Sequence, residues 1–490
     1  MEQTIDTFYR AYTTRDARFD GRVFAGVRTT GIYCRPVCPA RMPKRENMTF
    51  FPTAAAAQEA GFRPCLRCRP ESAPDFASWR GASPVVHRAL SLIGDGWLED
   101  RDIDGLAAQV GVSGRQLRRL FREHLGATPV AVAQTRRVLL AKQLIHETNL
   151  SMADVAMASG FGSVRRFNET FQRLFDRPPA ALRRQRCSNL TARSAITLRL
   201  PYHPPYDWAE MLQSLERTAI PGVERIADDT YSRTVGFGDH TGWLMVRPTT
   251  GDRLLLTVRY PDLESLPRII GRIRRLLDLP ADPVAINAQL AEDSLLAPLV
   301  AARPGLRVPG VWDGFEEAVR TVLLPDRNSL VRLVRECGRP LDDTATAAAG
   351  LTHAFPSPGD LLAAEIEDRQ PLTLAVPTAI SSLAAALVAE PTLLNQHHEP
   401  DQTATRLRHL PGIDADLAAT IASRVLEGYD YLPTAVFESM VGANDAPIHR
   451  DLLIRRAQSW SPWRAYGAAH LLVATTTCDF YDNQTMGATA

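Results

Sequence analysis

The sequence predicts a multidomain α+β protein that is mainly helical. Its 490 residues are too many for one hydrophobic core and predict about three domains. Hydrophobic residues make up 45% of the chain and charged residues 23%, and no apolar run reaches the roughly 18 residues that a membrane-spanning helix needs. Alternating apolar runs at 196–200, 231–235, 243–246 and 253–260 predict strands, whereas the pattern from residue 313 onward is helical throughout.

Charge is distributed unevenly along the chain. Residues 1–79 hold 12 Lys and Arg against 8 Asp and Glu, residues 80–186 hold 17 against 10, and residues 187–490 hold 27 against 37. A basic first part is typical of proteins that contact phosphate backbones. Only Lys44 and Lys142 are lysines; the other cations are arginines, which suit bidentate phosphate or guanine contacts. Biased genomic base composition explains the same preference for arginine.

The ends of the predicted segments are marked by turn-rich sequence. The chain begins with MEQTIDTFYRAYTTRD, which lacks the basic start and apolar stretch of a secretory signal, so we expect a cytoplasmic protein with reduced thiols and no membrane partner. Polar stretches at 70–84 and 186–194 predict domain boundaries. The predicted segments are therefore 1–79, 80–186, 195–282 and 283–490.

Four of the seven cysteines form a cluster. Three residues separate Cys34 from Cys38, 26 separate Cys38 from Cys65, and two separate Cys65 from Cys68. Four thiolates at two short spacings are the ligand set of a tetrahedral zinc site. The spacing alone favours a small zinc domain whose metal is purely structural.

The residues around the cysteines resemble a known family. The stretch 19–71, with GIYCRPVC and FRPCLRCRP, resembles the amino-terminal domain of Ada-type adaptive-response proteins. The resemblance implies that Cys34 accepts a methyl group from a methylated DNA phosphotriester and that one Zn²⁺, structural and catalytic, is held by all four cysteines. Zinc keeps the sulfurs as thiolates, so Cys34 needs no separate base. Four arginines are candidates for phosphate contacts, although each is also compatible with a solvated surface: Arg28, Arg35, Arg45 and Arg67.

Residues 103–124 predict two helices joined by a tight turn. Gly111 lies at the turn, and Ser113 and Gln116 have the spacing of a capping box that starts the second helix. A second copy follows at 151–175, where phenylalanines recur on one helix face. One such pattern is a weak indication of a helix-turn-helix, but two copies in succession are much stronger.

The two copies, joined by a helical stretch at 129–148, resemble the AraC family of transcription regulators. The resemblance implies that the second helix of each copy enters the major groove of double-stranded DNA. Arginine with asparagine or glutamine reads guanine and adenine edges, and phosphate contacts by the same side chains are equally compatible with the pattern. The candidates are Arg115, Gln116, Arg119, Arg165, Arg166 and Asn168.

The acidic third part resembles the AlkA-type 3-methyladenine DNA glycosylases along nearly its whole length. Matching stretches include PPYDWAEMLQSL at 204–215, LRHLPGI at 407–413 and SWSPWRAYGAAH at 459–470. The resemblance implies a small mixed α/β domain, similar to the TATA-binding protein, followed by a helical glycosylase-like domain with a helix-hairpin-helix. In that fold the hairpin amides hold a DNA phosphate while the target base is flipped out.

The residues that carry glycosylase chemistry are replaced. The family places a catalytic aspartate after an aromatic-Leu-Pro stretch, and the corresponding residue here is Ala435. A carboxylate stabilises the cationic, oxocarbenium-like sugar of the transition state, which a methyl group cannot do. Asp414 stands where the hairpin usually has its second glycine, and Asp416 and Leu472 stand where tryptophans are usual.

Three other carboxylates lie near the missing aspartate and are candidate substitutes: Glu438, Asp445 and Asp451. A lyase mechanism through a lysine Schiff base is excluded for residues 187–490, because they contain no lysine.

These observations predict a DNA alkylation-damage response protein. Methyl transfer to Cys34 would switch an AraC-type regulator that binds double-stranded DNA, at a promoter and at the methylated phosphotriester, and that works with RNA polymerase. Each molecule would react once, and the AlkA-like part would be catalytically weak or inactive. Two alternatives stay open: the same sensor joined to a working 3-methyladenine glycosylase, and a non-enzymatic zinc-containing transcription factor whose Cys34 never reacts.

Overall fold

The computed structural model describes residues 2–74, 83–183, 195–324, 326–341, 350–366, 377–394, 400–426, 430–433, 436 and 450–486. They confirm the predicted class, a multidomain and mainly helical α+β protein. By Cα proximity the chain divides into a first unit, formed by 1–202, 232–274 and 340–344, and a second unit, formed by 203–231, 275–339 and 345–490. The four segments predicted above stay a prediction. No helix in the described part of the chain is long and apolar enough to cross a membrane.

The first unit opens with a small sheet and two helices. The sheet has the order β3-β1-β2-β4, in which β1 runs antiparallel to β2 and β3 while β4 runs parallel to β2. Aromatic side chains such as Tyr12, Phe24 and Tyr33 are buried around it. The elements are α1 (Glu2–Thr13), β1 (Phe24–Val27), β2 (Ile32–Cys34), β3 (Met48–Phe51), α2 (Ala54–Glu59) and β4 (Arg63–Pro64).

Seven helices follow in the described residues, and the predicted turn at Gly111 and cap at Ser113 are confirmed. Gly111 has φ +75°, which favours glycine at the turn. The Ser113 hydroxyl accepts the Gln116 amide at 3.2 Å, and the Ser151 hydroxyl accepts the Asp154 amide at 3.1 Å. The helices are α3 (Pro84–Gly94), α4 (Trp97–Asp100), α5 (Ile103–Gln109), α6 (Gly114–Leu125), α7 (Pro129–Glu147), α8 (Met152–Ala158) and α9 (Val164–Phe175).

A second sheet contains all four predicted strand runs. Its order is β5-β9-β8-β7-β6, and β9 pairs antiparallel with both β5 and β8. Alternate residues of β9, such as Leu254, Leu256 and Val258, are buried, as the period of two predicts. The strands are β5 (Ile196–Pro201), β6 (Glu224–Ala227), β7 (Thr230–Phe237), β8 (His240–Thr249) and β9 (Arg253–Arg259). Two helices occur in the same stretch of the chain, α10 (Trp208–Thr218) and α11 (Leu266–Leu276).

The second unit is mostly helical, around a core of aliphatic side chains such as Val319, Leu333, Ile380, Leu383 and Ile421. A short two-stranded sheet, β10 (Arg339–Pro340) with β11 (His353–Ala354), completes the described strands. The helices are α12 (Pro283–Leu290), α13 (Ala297–Ala302), α14 (Gly314–Val322), α15 (Arg327–Cys337), α16 (Pro358–Ile366), α17 (Thr378–Ala389), α18 (Pro400–Leu407), α19 (Ala415–Leu426), α20 (Arg450–Arg456) and α21 (Arg464–Met486).

Candidate metal centre and nucleic-acid interface

Strand pairing brings the two cysteine pairs together. In the parallel pair β2 and β4, Tyr33 lies opposite Pro64, and the Cys65 amide donates to the Tyr33 carbonyl at 3.0 Å. Cys34 follows Tyr33 and Cys65 follows Pro64, so the two cysteines lie side by side at the same end of these paired strands. Cys38 follows in a turn, where its amide donates to the Arg35 carbonyl at 3.2 Å.

The four sulfur atoms lie within 4.8 Å of one another. A tetrahedral zinc ion with Zn–S bonds of about 2.3 Å needs sulfurs roughly 3.8 Å apart, so small adjustments complete the site. Four thiolates are the ligand set of a zinc site that has no vacant coordination position. Cys65 and Cys68 are buried, whereas Cys34 and Cys38 are half-buried. The predicted ligands are therefore brought together, and Cys34 remains partly accessible from outside the centre.

Crowding of the sulfurs disfavours a thiolate at Cys34 when no metal ion is bound. Hydrogen bonding to Cys38, then to Cys65 and Cys68, holds the pKa of the Cys34 thiol well above its usual range, and burial raises it further. A bound divalent cation reverses this preference, because it stabilises deprotonated sulfur directly. Two backbone amides also donate to sulfur, from Arg67 to Cys65 at 3.3 Å and from Arg35 to Cys68 at 3.4 Å.

The Arg35 side chain is buried and makes hydrogen bonds inside the protein, so it is not one of the exposed cations. Its side chain is buried, its Nε donates to Asp20 at 2.7 Å, and a second guanidinium nitrogen bonds the other Asp20 oxygen. Nη1 donates to the Cys68 carbonyl at 3.1 Å. This differs from the phosphate contact expected from sequence, because Asp20, far from Arg35 along the chain, offsets its charge in the interior. Arg35 therefore positions the second cysteine pair.

The other three arginines predicted to contact phosphate are exposed. Arg28 donates to the Glu46 carbonyl, and Arg45 forms an ion pair with Asp6 at 2.5 Å. Arg67 follows the zinc ligand Cys65 at a distance of two residues.

The Asp20 carboxylate gives a test of this arrangement. Asp20→Asn weakens the ion pair that fixes Arg35 beside Cys68, so we expect zinc affinity to fall about 10- to 100-fold, as for other partners of metal ligands. Competition with a zinc-binding dye measures the change. Asp6→Asn is the matched control, since Asp6 is exposed and pairs with Arg45 at the surface. Equal affinity in the two variants would show that Arg35 does not position the ligands.

The six residues predicted to contact DNA lie on two matching helices. Helices α6 and α9 each have 12 residues and each start at a serine cap. Their inner faces are buried through leucine and phenylalanine side chains, whereas the candidates are all exposed. Arg165 forms an ion pair with Glu169 at 2.8 Å on the outer face of α9. The exposed candidates are Arg115, Gln116 and Arg119 on α6, and Arg165, Arg166 and Asn168 on α9.

Three family models match the chain. The metal binding domain of Ada matches residues 7–71, a helix-turn-helix domain matches 106–185, and the AlkA N-terminal domain matches 197–313.

Relatives extend the similarity over nearly the whole chain. A Mycobacterium tuberculosis protein, described as a probable bifunctional transcriptional activator/DNA repair enzyme AlkA, is 39% identical over 487 residues, which cover 96% of each chain. The chain belongs to this family of bifunctional transcriptional activator and DNA repair proteins. Escherichia coli DNA-3-methyladenine glycosylase 2 is 30% identical over 284 residues, 56% of this chain and 95% of its own. The solved 3-methyladenine DNA-glycosylase from Archaeoglobus fulgidus is 12% identical, with a TM-score of 0.47, over 57% of this chain and 98% of its own.

The predicted combination is thereby confirmed. The protein is an Ada-like DNA alkylation response regulator fused to an AlkA-like domain, and its four cysteines form the site for one zinc ion.

The hairpin of this family member carries its own negative charge. Helix α18 leads into α19 through Gly412, whose φ is +81°, and a Cβ at Gly412 would lie 2.7 Å from the Ala379 nitrogen. The Asp414 carboxylate accepts the Leu417 amide at 2.8 Å and so caps α19. Asp414 and Asp416 are both exposed. The helix N-terminus, which attracts anions such as phosphate, is thus occupied by a carboxylate of the protein.

The remaining glycosylase positions are only partly described. Leu472 is half-buried on α21, and Asp451 is exposed in the first turn of α20. Ala435, Glu438 and Asp445 lie outside the described residues. An exposed carboxylate such as Asp451 is screened by water, which weakens its interaction with a cationic sugar.

Sequence reasoning missed Asp430, which directly precedes the stretch that ends at Ala435. Its carboxylate accepts Arg464 Nε at 2.7 Å and the Ser461 hydroxyl at 2.9 Å. Burial raises the pKa of Asp430, but these donors outweigh it and the pKa lies below its usual range. Asp430 is therefore ionised, with its charge offset by Arg464, and only its place before the Leu-Pro stretch could have indicated it.

His470 gives the second unit a pH-dependent stability. Burial, followed by the charge of Arg303, lowers the pKa of His470 from 6.5 to about 4. The folded imidazole therefore stays neutral, while the unfolded chain takes up a proton below pH 6.5. Stability is fully present above pH 6.5 and declines as the pH falls to about 4, by about 3 kcal/mol in total.

We expect His470→Gln to remove most of this decline. Unfolding temperatures measured by calorimetry across the same pH range provide the check. His409→Gln is the control, since His409 is exposed. If both variants follow the wild-type pH profile, His470 does not supply the dependence.

Proposed function

We propose that the protein is a single-use sensor of DNA methylphosphotriesters that regulates transcription. Cys34 accepts the methyl group, the two helix-turn-helix copies bind a promoter beside RNA polymerase, and the AlkA-like part no longer excises bases. We expect it to act on cytoplasmic DNA. The observation that carries the proposal is the four-sulfur centre, in which Cys34 and Cys38 are half-buried while Cys65 and Cys68 are buried.

The transfer step balances without a proton or a co-reactant. The Cys34 thiolate attacks the methyl carbon of the phosphotriester, so an S–CH₃ bond forms while the bond between that carbon and the phosphate oxygen breaks. The electron pair of the broken bond leaves with the phosphate, which becomes an ordinary phosphodiester anion. Zinc, when bound, supplies the thiolate state of the sulfurs.

The protein's own residues position the reacting sulfur. The Tyr12 hydroxyl donates to the Cys34 carbonyl at 2.8 Å, and Arg35 ties the adjacent backbone to Cys68. These contacts hold the acceptor at the end of β2. The exposed arginines Arg28, Arg45 and Arg67 are the groups we assign to the flanking phosphates.

Methyl transfer changes the charge that faces DNA. Zn²⁺ with four thiolates carries a formal charge of −2, and methylation of one sulfur leaves −1. Repulsion from the phosphate backbone falls, so the methylated form binds DNA more tightly. The sensor thereby becomes an activator whose exposed α6 and α9 residues contact the promoter.

Loss of excision is supported by charge and by a missing carboxylate. Asp414 and Asp416 place negative charge at the hairpin that should hold a phosphate, and Ala435 replaces the residue that should stabilise the cationic sugar. The acidic balance of residues 187–490 opposes DNA binding further.

Purified full-length protein incubated with DNA that carries methyl-labelled phosphotriesters tests the proposal. We expect one labelled methyl group per molecule, located on Cys34 by peptide mass spectrometry, and no further turnover. Promoter affinity, measured at several salt concentrations, should rise after transfer. Unlabelled Cys34 with a normal response to methylating agents would favour the non-enzymatic regulator instead.

A further inference from the structure

Lys142 is a wholly buried lysine that joins the zinc centre to the helix-turn-helix part. It lies on α7, and its side chain is 0% exposed. Its Nζ donates to the carbonyl of the zinc ligand Cys65 at 3.1 Å and to Glu71 Oε2 at 2.7 Å. Buried lysines are rare unless paired, and this one is held by two groups of the zinc-binding segment.

A second bridge runs beside the first. Arg69 has φ +52°, a strained left-handed conformation for a non-glycine residue. Its guanidinium is held by Glu71 at 3.1 Å and by Glu147, at the end of α7, also at 3.1 Å. The segment from Cys65 to Glu71 is therefore attached to α7 at two places, Lys142 and Glu147.

The same segment forms hydrogen bonds with Arg35, the residue that follows the methyl acceptor Cys34. Arg35 donates to the carbonyl of Cys68 at 3.1 Å and of Arg69 at 3.4 Å, and its amide donates to the Cys68 sulfur. Direct contacts therefore lead from Arg35, which follows Cys34 in the chain, to residues 68–71 and from there to α7.

Helix α7 is well placed to receive such a change. Its 19 residues lie between the two helix-turn-helix copies and contact both α6 and α8. Its first turn is also attached to the zinc-binding part, because Thr128 donates twice to the Glu59 carboxylate at 3.0 Å. The far end of α7 extends the network, since Glu147 accepts the Arg199 amide of β5 at 3.0 Å.

We propose that Lys142 and Glu71 are positioning residues that transmit the methylation state of Cys34 to both helix-turn-helix copies. The inference rests on the proposed function, but it adds a mechanical link to the loss of charge at the sulfur. Charge alone predicts a general gain in DNA affinity, whereas this link predicts a change in the geometry of α6 and α9. We call the group Arg35, Arg69, Glu71, Lys142 and Glu147 the coupling network.

The presence of only two lysines allows a direct test in the full-length protein. Lys44 is 81% exposed and Lys142 is buried. An amine-reactive acetylating reagent, read by peptide mass spectrometry, should label Lys44 rapidly and leave Lys142 protected. Methylation of Cys34, by phosphotriester DNA or by methyl iodide, should raise the labelling of Lys142 relative to Lys44 about tenfold, within the usual range of allosteric coupling. Unchanged labelling would overturn the proposal. If DNA transfers no methyl group, the proposed function fails. The experiment with methyl iodide still tests the coupling, because it methylates the protein without DNA.

Variants test whether the network carries the signal. Promoter affinity is measured for each variant before and after methylation. The readout is the affinity of the methylated form divided by that of the unmethylated form, because a purely structural defect lowers both affinities and leaves this ratio unchanged. The wild-type ratio is expected to lie at roughly 5- to 150-fold. We expect the double variant Lys142→Met with Glu71→Gln, which removes both buried charges, to lower it to the smaller gain that the loss of charge at the sulfur supplies alone.

Controls keep the variant test decisive. Lys44→Met should retain the wild-type ratio, and Lys142→Arg, which keeps the charge, should recover part of it. If the double variant does not fold, the labelling experiment on the wild-type protein still decides the proposal. A folded double variant with the full wild-type ratio would show that the switch is electrostatic alone.

Discussion

Replacing Cys34 by serine should abolish methyl uptake from phosphotriester DNA. A serine hydroxyl lacks the thiolate character that zinc confers on sulfur, so the transfer rate should fall by roughly a million-fold, the scale seen when an enzyme loses its nucleophile. Labelled methyl groups counted per protein molecule measure the loss. In cells, induction by a methylating agent should disappear at the same time.

The controls separate loss of the acceptor from loss of the fold. Cys337→Ser changes another cysteine, which is buried at the end of α15 in the second unit and is far from the zinc ligands along the chain. It should retain one methyl group per molecule. Zinc content must be measured for Cys34→Ser, because three remaining thiolates can still hold the metal. Normal induction by the zinc-loaded Cys34→Ser protein would contradict the proposed function.

Release of 3-methyladenine from methylated duplex DNA should not exceed the uncatalysed rate. Working enzymes accelerate their reactions by about a million-fold or more, so presence and absence of activity are easily distinguished. The physical reason is the pair of carboxylates at the hairpin, Asp414 and Asp416, together with the methyl group of Ala435 where a negative charge is needed. Chromatography of bases released by the full-length protein provides the measurement.

A positive result would restore the alternative of a bifunctional repair enzyme. Multiple turnovers would require a carboxylate that takes the place of the missing aspartate. The variants Glu438→Gln, Asp445→Asn and Asp451→Asn would then identify it, and Asp430→Asn should be included because Asp430 lies beside the Leu-Pro stretch. Loss of release in only one of them would name the catalytic group.

Local sequence was sufficient for the elements and for the zinc ligands. Each cap, such as Ser113 with Gln116, depends on residues three positions apart, and each strand run depends on a period of two. The cysteine spacing likewise predicts the zinc site, because each closely spaced pair presents two thiolates from a single short turn. Fold class, metal and the two helix-turn-helix copies therefore followed from neighbouring residues.

Partners that are distant along the chain could not be read from such patterns. The sequence marks Arg35 as a cation beside Cys34, but only the folded chain brings Asp20 and Cys68 around it and removes it from the surface. Lys142 is one of two lysines by composition, yet its bonds to Glu71 and to the Cys65 carbonyl span more than 70 positions.

The sequence by itself thus determined which chemical groups the protein has: four thiolates for zinc, basic helices for DNA, and no aspartate at residue 435. Tertiary structure alone decided which of those groups are free to act and which hold the molecule together. The physical reason is that burial and pairing set the free energy of a charge, and both depend on atoms contributed by distant parts of the chain.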